Sequence, residues 1–166
     1  RLLRRGNRVL DLGAAPGSWS QYAARAVGPG GRVVAVDFDR LEALSPLANV
    51  EAIAGDFTDP QTIKFIAERG PYDVVLSDAA PSTTGNRALD TTRSQALVES
   101  IIDSLPLFLR PGGIFLAKLF QGGGEQALLA TCRSLFSVAK MPKPKASRSE
   151  SFETYLLGID YQSDNT

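Results

Sequence analysis

The chain has 166 residues, 43% of them hydrophobic and 22% charged, an ordinary globular composition at a length that one domain accommodates. Lysine plus arginine and aspartate plus glutamate each number 18, so the net charge is zero and no global field calls for a nucleic-acid partner. No histidine is present, which removes His-based catalysis, Ser-His-Asp triads and nearly all zinc sites; the lone Cys132 excludes an intrachain disulfide and fits a reducing, cytoplasmic setting.

Strand and helix signals alternate from end to end, which predicts βαβ units and a mainly parallel sheet. Val9 to Leu12 reads as the first strand, followed by a turn with glycines at 13 and 17 and a short helix from Trp19 to Val27, where Ser18 or Ser20 is placed to cap. Arg32 to Asp37 is the second strand, Arg40 to Leu44 a brief helix, and Val50 to Ala54 the third strand. Asp59-Pro60 opens a helix that runs to about Arg69, with proline in its first turn. Tyr72 to Ser77 is the fourth strand, and the polar loop 81–86 precedes a long helix from Thr91 to Leu109. Pro111-Gly112-Gly113 reads as a turn, Ile114 to Phe120 as the fifth strand, and Glu125 to Phe136 as a helix on which Cys132 is a small buried hydrophobe. Val138 to Met141 and Phe152 to Ile159 complete the sheet around a basic loop at 142–151. No apolar run approaches a membrane span and no signal peptide is evident. The chain opens on Arg1 and holds its only methionine at Met141, so the expectation is one domain over 1–166, trimmed at its amino end.

The first strand-to-helix turn lets a ligand approach the main chain closely. It lacks the three-glycine spacing of a dinucleotide fold, and Pro16 removes one amide donor. A cofactor without phosphates fits better, and S-adenosyl-L-methionine is one. Carboxylates then fall at the strand ends: Asp37 ends the second strand, while Asp56 and Asp78 follow the third and fourth. In an open parallel sheet, ligands bind at that edge. Asp37 is placed to accept both ribose hydroxyls, Asp56 to receive the adenine amino group, and Asp78 to face the sulfonium or the amino group. Lys118 sits near the carboxyl end of an apolar strand, where packing alone does not call for a lysine. Burial lowers a lysine's pKa and a neighbouring carboxylate raises it; a partly buried Lys118 is expected to supply a neutral amine as base.

Asp11-Leu12-Gly13-Ala14-Ala15-Pro16-Gly17-Ser18-Trp19-Ser20-Gln21-Tyr22 resembles the cofactor motif of the FtsJ family, the ribosomal RNA ribose 2′-O-methyltransferases. Gly55-Asp56-Phe57, Ser77-Asp78-Ala79-Ala80-Pro81, Lys118-Leu119-Phe120-Gln121-Gly122 and Ser149 to Tyr155 are similar to further blocks of that family, in order. The resemblance implies a Rossmann-like class I methyltransferase: a seven-stranded, mostly parallel sheet with helices on both faces and the last strand antiparallel. It implies cofactor contacts from Gly13, Ala14, Pro16, Gly17, Ser18, Trp19, Asp37, Asp56, Phe57 and Asp78. Of the family's Lys-Asp-Lys-Glu set, the Asp falls on Asp78, the second Lys on Lys118 and the Glu on Glu153. The first Lys lies upstream of the first strand in the family, and this chain has no lysine before Lys64.

The reaction implied is methyl transfer from S-adenosyl-L-methionine to a ribose 2′-oxygen of RNA, a uridine of the large ribosomal subunit. Lys118 acts as base, Asp78 orients it, and Glu153 holds the lysine or the hydroxyl. The amino-terminal arginines and the basic loop Lys140 to Arg148 are expected to grip RNA phosphates, in a monomer with no DNA, membrane or metal partner. Two alternatives are a methyltransferase acting on a small molecule or protein, and a catalytically silent RNA-binding or assembly module that keeps the cofactor pocket.

Overall fold

A computed structural model describes residues 2–142 and 152–163. The first four strands, β1 (Arg8–Leu12), β2 (Arg32–Asp37), β3 (Val50–Ala54) and β4 (Tyr72–Ser77), are short and mostly apolar. Of these β1, β2 and β4 are buried along nearly their whole length, as strands covered on both faces must be, whereas β3 is the sheet's edge. Together with β5 (Leu109–Phe120), β6 (Phe136–Lys140) and β7 (Glu153–Tyr161) they make one seven-stranded sheet in the order β3-β2-β1-β4-β5-β7-β6. The pairs among β1 to β5 are parallel, and β7 runs antiparallel between β5 and β6.

Alternation along the strands divides the core. Leu10, Val34, Val75 and Phe115 pack under α2 (Pro60–Ala67), α3 (Arg87–Phe108) and α4 (Glu125–Leu135). Val9, Val33, Val74 and Leu76 pack under α1 (Ser18–Val27) on the other face. Helices thus cover both faces, as expected, and Cys132 is fully buried, its thiol pushed up to about 12 by that burial. Among the described residues no helix is long and apolar enough to cross a membrane.

Several element ends differ from the sequence reading, each for a local reason. α1 takes no serine cap: Gly17 holds the N-cap position at φ 114, and Ser20 is buried. The segment after Arg40 forms only a 3-10 turn, Glu42–Leu44. α2 is capped by Asp59, which accepts from Gln61 N–H and Thr62 N–H at 3.0 Å each, and it stops at Ala67. α3 begins four residues earlier than expected because Asn86 caps it, accepting from Leu89 N–H. Pro111-Gly112-Gly113 lies inside β5 as an irregularity against β4: Tyr72 pairs with Leu109, then Val74 with Ile114. α4 ends at Leu135, so β6 starts at Phe136, and β7 extends to Tyr161.

Candidate active site

The turn after β1 is held from both sides. Val36 O accepts from Gly13 N–H at 2.9 Å and Ala14 N–H at 3.1 Å, which closes the turn onto the end of β2. Gly13 has φ +72, and a Cβ there would lie 2.5 Å from Ala79 Cα. Only glycine lets the loop after β4 come this close. The turn therefore sits against the segment that carries Asp78, and its backbone forms part of a cavity.

That cavity has a volume of about 840 Å³ and opens at the carboxyl ends of the parallel strands. Gly13, Asp37, Asp56, Phe57 and Asp78 line it with Lys118. The Asp37 carboxylate accepts from Ala15 N–H and Asp39 N–H, both at 2.9 Å, one on each oxygen. Each oxygen keeps lone-pair capacity for a hydroxyl. Asp56 accepts from Thr58 N–H and Thr58 Oγ1–H through Oδ1, which fixes its rotamer. Phe57 is buried and packs into the core beneath.

Strand register assembles the opposite wall. Lys118 on β5 lies directly across from Tyr155 on β7, and Phe120 across from Glu153. Lys118 Nζ stands 2.8 Å from Asp78 Oδ1 and 3.7 Å from Glu153 Oε1, with only 13% of the lysine side chain exposed. The three residues assigned by resemblance thus come together. The expected neutral amine does not follow. Burial opposes the lysine's charge, but the hydrogen bond to Asp78 and the charges of Asp78 and Glu153 outweigh it and raise the Lys118 pKa. In the resting site Lys118 is an ammonium.

Ala15 lines this cavity beside Gly13, whereas Ala14, Pro16, Gly17, Ser18 and Trp19 do not. Ala14 is buried beside Leu41 and Leu44, Gly17 packs against Leu44, and Pro16 is exposed. Ser18 and Trp19 line a second cavity of about 400 Å³ on the α1 side, with Leu76 and Leu116. The Trp19 ring stacks on Tyr155, centroids 6.0 Å apart. Arg8 opens β1 beside Asp73, and Arg4 N–H is bonded to Asn7, so these arginines lie at the amino ends of the strands, away from the cavity. The basic loop lies outside the described residues from 143 to 151.

Two groups escaped the sequence reading. Asp11 is fully buried beneath the turn, accepts from Ser20 Oγ–H at 2.5 Å, and among the described residues has no hydrogen-bond partner for Oδ1. Burial pushes its pKa up to about 7 against the Ser20 bond, with Asp78 and Asp37 adding to the rise. Its place in an apolar strand was the available signal. The second is Arg93 on α3, which lines the cavity across 15 residues of sequence from Asp78 and carries no motif.

The donor set suits a cationic, phosphate-free cofactor. Carboxylates at 37, 56 and 78 surround a cavity that Gly13 keeps open to the backbone. The sheet order with its antiparallel β7, and this acid-lined cavity at the strand ends, define a Rossmann-like methyltransferase. Such folds are shared by an Aeropyrum pernix fibrillarin solved with natively bound S-adenosyl-L-methionine, with a TM-score of 0.70 at 16% identity over 96% of this chain and 69% of that one. The chain belongs to the FtsJ-like methyltransferase family, whose model matches residues 1–161. A ribosomal RNA large subunit methyltransferase E of Syntrophobacter fumaroxidans is 49% identical over 160 residues, 96% of this chain and 81% of that protein. The protein of the same name from Treponema denticola is 47% identical over 156 residues, 94% of this chain and 78% of that protein. A crystal structure of a Plasmodium falciparum ribosomal RNA methyltransferase superposes with a TM-score of 0.81 at 25% identity, over 95% of this chain and 88% of that one.

Proposed function

We propose that the chain uses S-adenosyl-L-methionine to methylate a ribose 2′-hydroxyl of large-subunit ribosomal RNA, in the cytoplasm. The observation that carries this reading is Lys118 Nζ, 2.8 Å from Asp78 and 3.7 Å from Glu153, at an acid-lined cavity. The names of the 49% and 47% identical relatives support the ribosomal substrate.

Asp37 accepts the ribose hydroxyls of the cofactor, Asp56 offers Oδ2 to the adenine amino group, and Phe57 and Gly13 shape the cavity. Ala14, Pro16, Gly17, Ser18 and Trp19 contribute through the form of the turn. When bound, S-adenosyl-L-methionine supplies an electrophilic methyl group on sulfur. Lys118 holds the 2′-hydroxyl in line and takes its proton as the new C–O bond forms. Only the neutral amine can accept that proton. Asp78 and Glu153 favour the ammonium, so the neutral fraction is small at neutral pH and grows as pH rises. Part of the acceleration comes from holding two bound reactants in line.

The test is methyl transfer to unmodified large-subunit ribosomal RNA. Lys118→Ala is expected to lower kcat by about 10²- to 10⁴-fold, the usual weight of a general base, with the cofactor Kd retained. The wild-type rate is expected to climb with pH toward the raised lysine pKa, and Asp78→Asn to move that climb to lower pH. Full activity of Lys118→Ala overturns the assignment, and cofactor binding without any transfer by the wild type points to a silent RNA-binding module.

A further inference from the structure

Arg93 and Lys118 are the two cations among the residues lining the large cavity. Lys118 is committed to Asp78 and Glu153. Arg93 is exposed and makes no ion pair among the described residues, although the cavity holds several carboxylates. The nearest acid along α3, Asp90, feels the Arg93 charge but is taken up by the preceding loop: it accepts from Thr84 N–H at 2.8 Å and Thr84 Oγ1–H at 2.7 Å. A guanidinium kept from the carboxylates around it is available for an anion.

A second guanidinium stands nearer the start of α3, on a different side of the helix. Arg87, six residues earlier on α3 and so about 9 Å along the helix axis, stands 5.4 Å from the Phe152 ring centroid. Phe152 immediately precedes Glu153 and receives the Gln121 N–H bond at the end of β5. Arg93 thus lines the cavity that holds Lys118 and Asp78, and Arg87 lies beside the residue that precedes Glu153. The loop that joins Asp78 to α3 is fixed by Asp90 and by the Asn86 cap, which presets where Arg87 starts.

We infer that Arg93, with Arg87 beyond it, binds the phosphates of the RNA strand beside the methylated ribose; this rests on the RNA reading above. A cofactor carboxylate is the other anion within reach of Arg93. The α3 face that Arg93 heads continues as Ala96, Leu97 and Ser100, an uncharged wall beside Phe57. The cofactor is confined to the cavity, whereas Arg93 at its lining and Arg87 outside it, beside Phe152, suit the phosphates of a chain that extends beyond the cavity. Phosphate contacts of this kind position a strand and carry no base specificity.

The experiment compares wild type, Arg93→Gln, Arg93→Lys and Arg87→Gln/Arg93→Gln. RNA affinity is measured with a single-stranded ribosomal RNA fragment over a salt series, and cofactor affinity by calorimetry. Arg93→Gln is expected to raise the RNA Kd about tenfold, the weight of one charge-assisted bond. The slope of log K against log salt should flatten by about 0.7, as for one phosphate on a single strand. The double variant should lose about twice that slope, Arg93→Lys should keep it, and the cofactor Kd should stay unchanged throughout. An unchanged RNA Kd and slope in Arg93→Gln overturns the inference, as does a cofactor Kd raised by as much as the RNA Kd. Wild type that neither binds nor methylates RNA overturns the RNA reading itself, which separates the two failures.

Discussion

Asp11 and Asp37 sit on neighbouring strands, Asp11 opposite Ala35 two residues before Asp37, and their surroundings differ. Asp37 is met by two backbone N–H groups at the cavity edge. Asp11 has one hydroxyl for one oxygen and nothing for the other, in a fully buried position. An unpaired buried carboxylate is costly, so the acid keeps its proton instead. Its folded pKa of about 7 lies above the ordinary aspartate value of 3.8. The sign follows from linkage: the folded state binds this proton more tightly, so its stabilising share is complete below about pH 4 and is lost as pH rises toward 7. Asp11→Asn removes the titration. Its stability is expected to be flatter than wild type between pH 4 and 8, with the gap moving in favour of the variant by at most about 4 kcal/mol across that window. Denaturant unfolding at several pH values checks this; parallel stability curves for the two proteins would show that Asp11 does not titrate there.

At the scale of elements, β7 is the strand that completes the site, because its register with β5 puts Tyr155 across from Lys118 and Glu153 across from Phe120. That register is guarded by Gly158, which pairs with Phe115 on one side and Ala139 on the other. A Cβ at 158 would come within 2.6 Å of the Phe136 ring. Gly158→Ala is therefore an overpacking change, expected to cost about 1–3 kcal/mol and to lower methyl transfer through Glu153, both readable from a melting curve and a rate. The strands β2, β3 and β4 were legible in the sequence at their observed ends, because each is a short, mostly apolar run bounded by turn residues. The start of α3 was not: Asn86 looks like one more residue of a polar loop until its side chain is seen to cap Leu89 N–H. Nor was the early start of β5, since Pro111-Gly112-Gly113 has the composition of a turn but is absorbed as a bulge against Tyr72 and Val74. The site divides the same way. Asp78, Lys118 and Glu153 stand in motifs, and the fold brings their side chains together. Arg93 belongs to no motif, and its standing in the cavity comes from helix packing alone.

The zero net charge of the whole molecule conceals a separation along the strand axis. At the amino ends, Asp73 is matched by Arg110 at 2.5 Å and by the Arg8 N–H, so the charge there is largely spent within the protein. At the carboxyl ends, Asp37, Asp39, Asp56 and Asp78 line one cavity, and among the described residues Lys118 and Arg93 are the cations that line it with them. A cation entering that cavity relieves repulsion among carboxylates drawn from β2, β3 and β4, strands that lie on both sides of β1. The cofactor is accordingly expected to stabilise the sheet as a unit and not one loop of it. At a cofactor concentration of 100 times Kd, mass action contributes about 2.7 kcal/mol, which for a domain of this size raises Tm by about 5–10 °C. The same nucleoside with a neutral sulfur, S-adenosylhomocysteine, lacks the cationic centre and at equal concentration should raise Tm less. Asp37→Ala should shrink both shifts by removing the acceptor for the ribose hydroxyls. Because Asp11 feels Asp78 and Asp37, a cation in the cavity should also lower its pKa, so the Tm shift given by S-adenosyl-L-methionine should grow between pH 6 and pH 8. Scanning calorimetry with each ligand at the two pH values checks the set. Equal shifts for the charged and neutral ligands at both pH values would mean that the acids at the strand ends do not read the sulfonium charge.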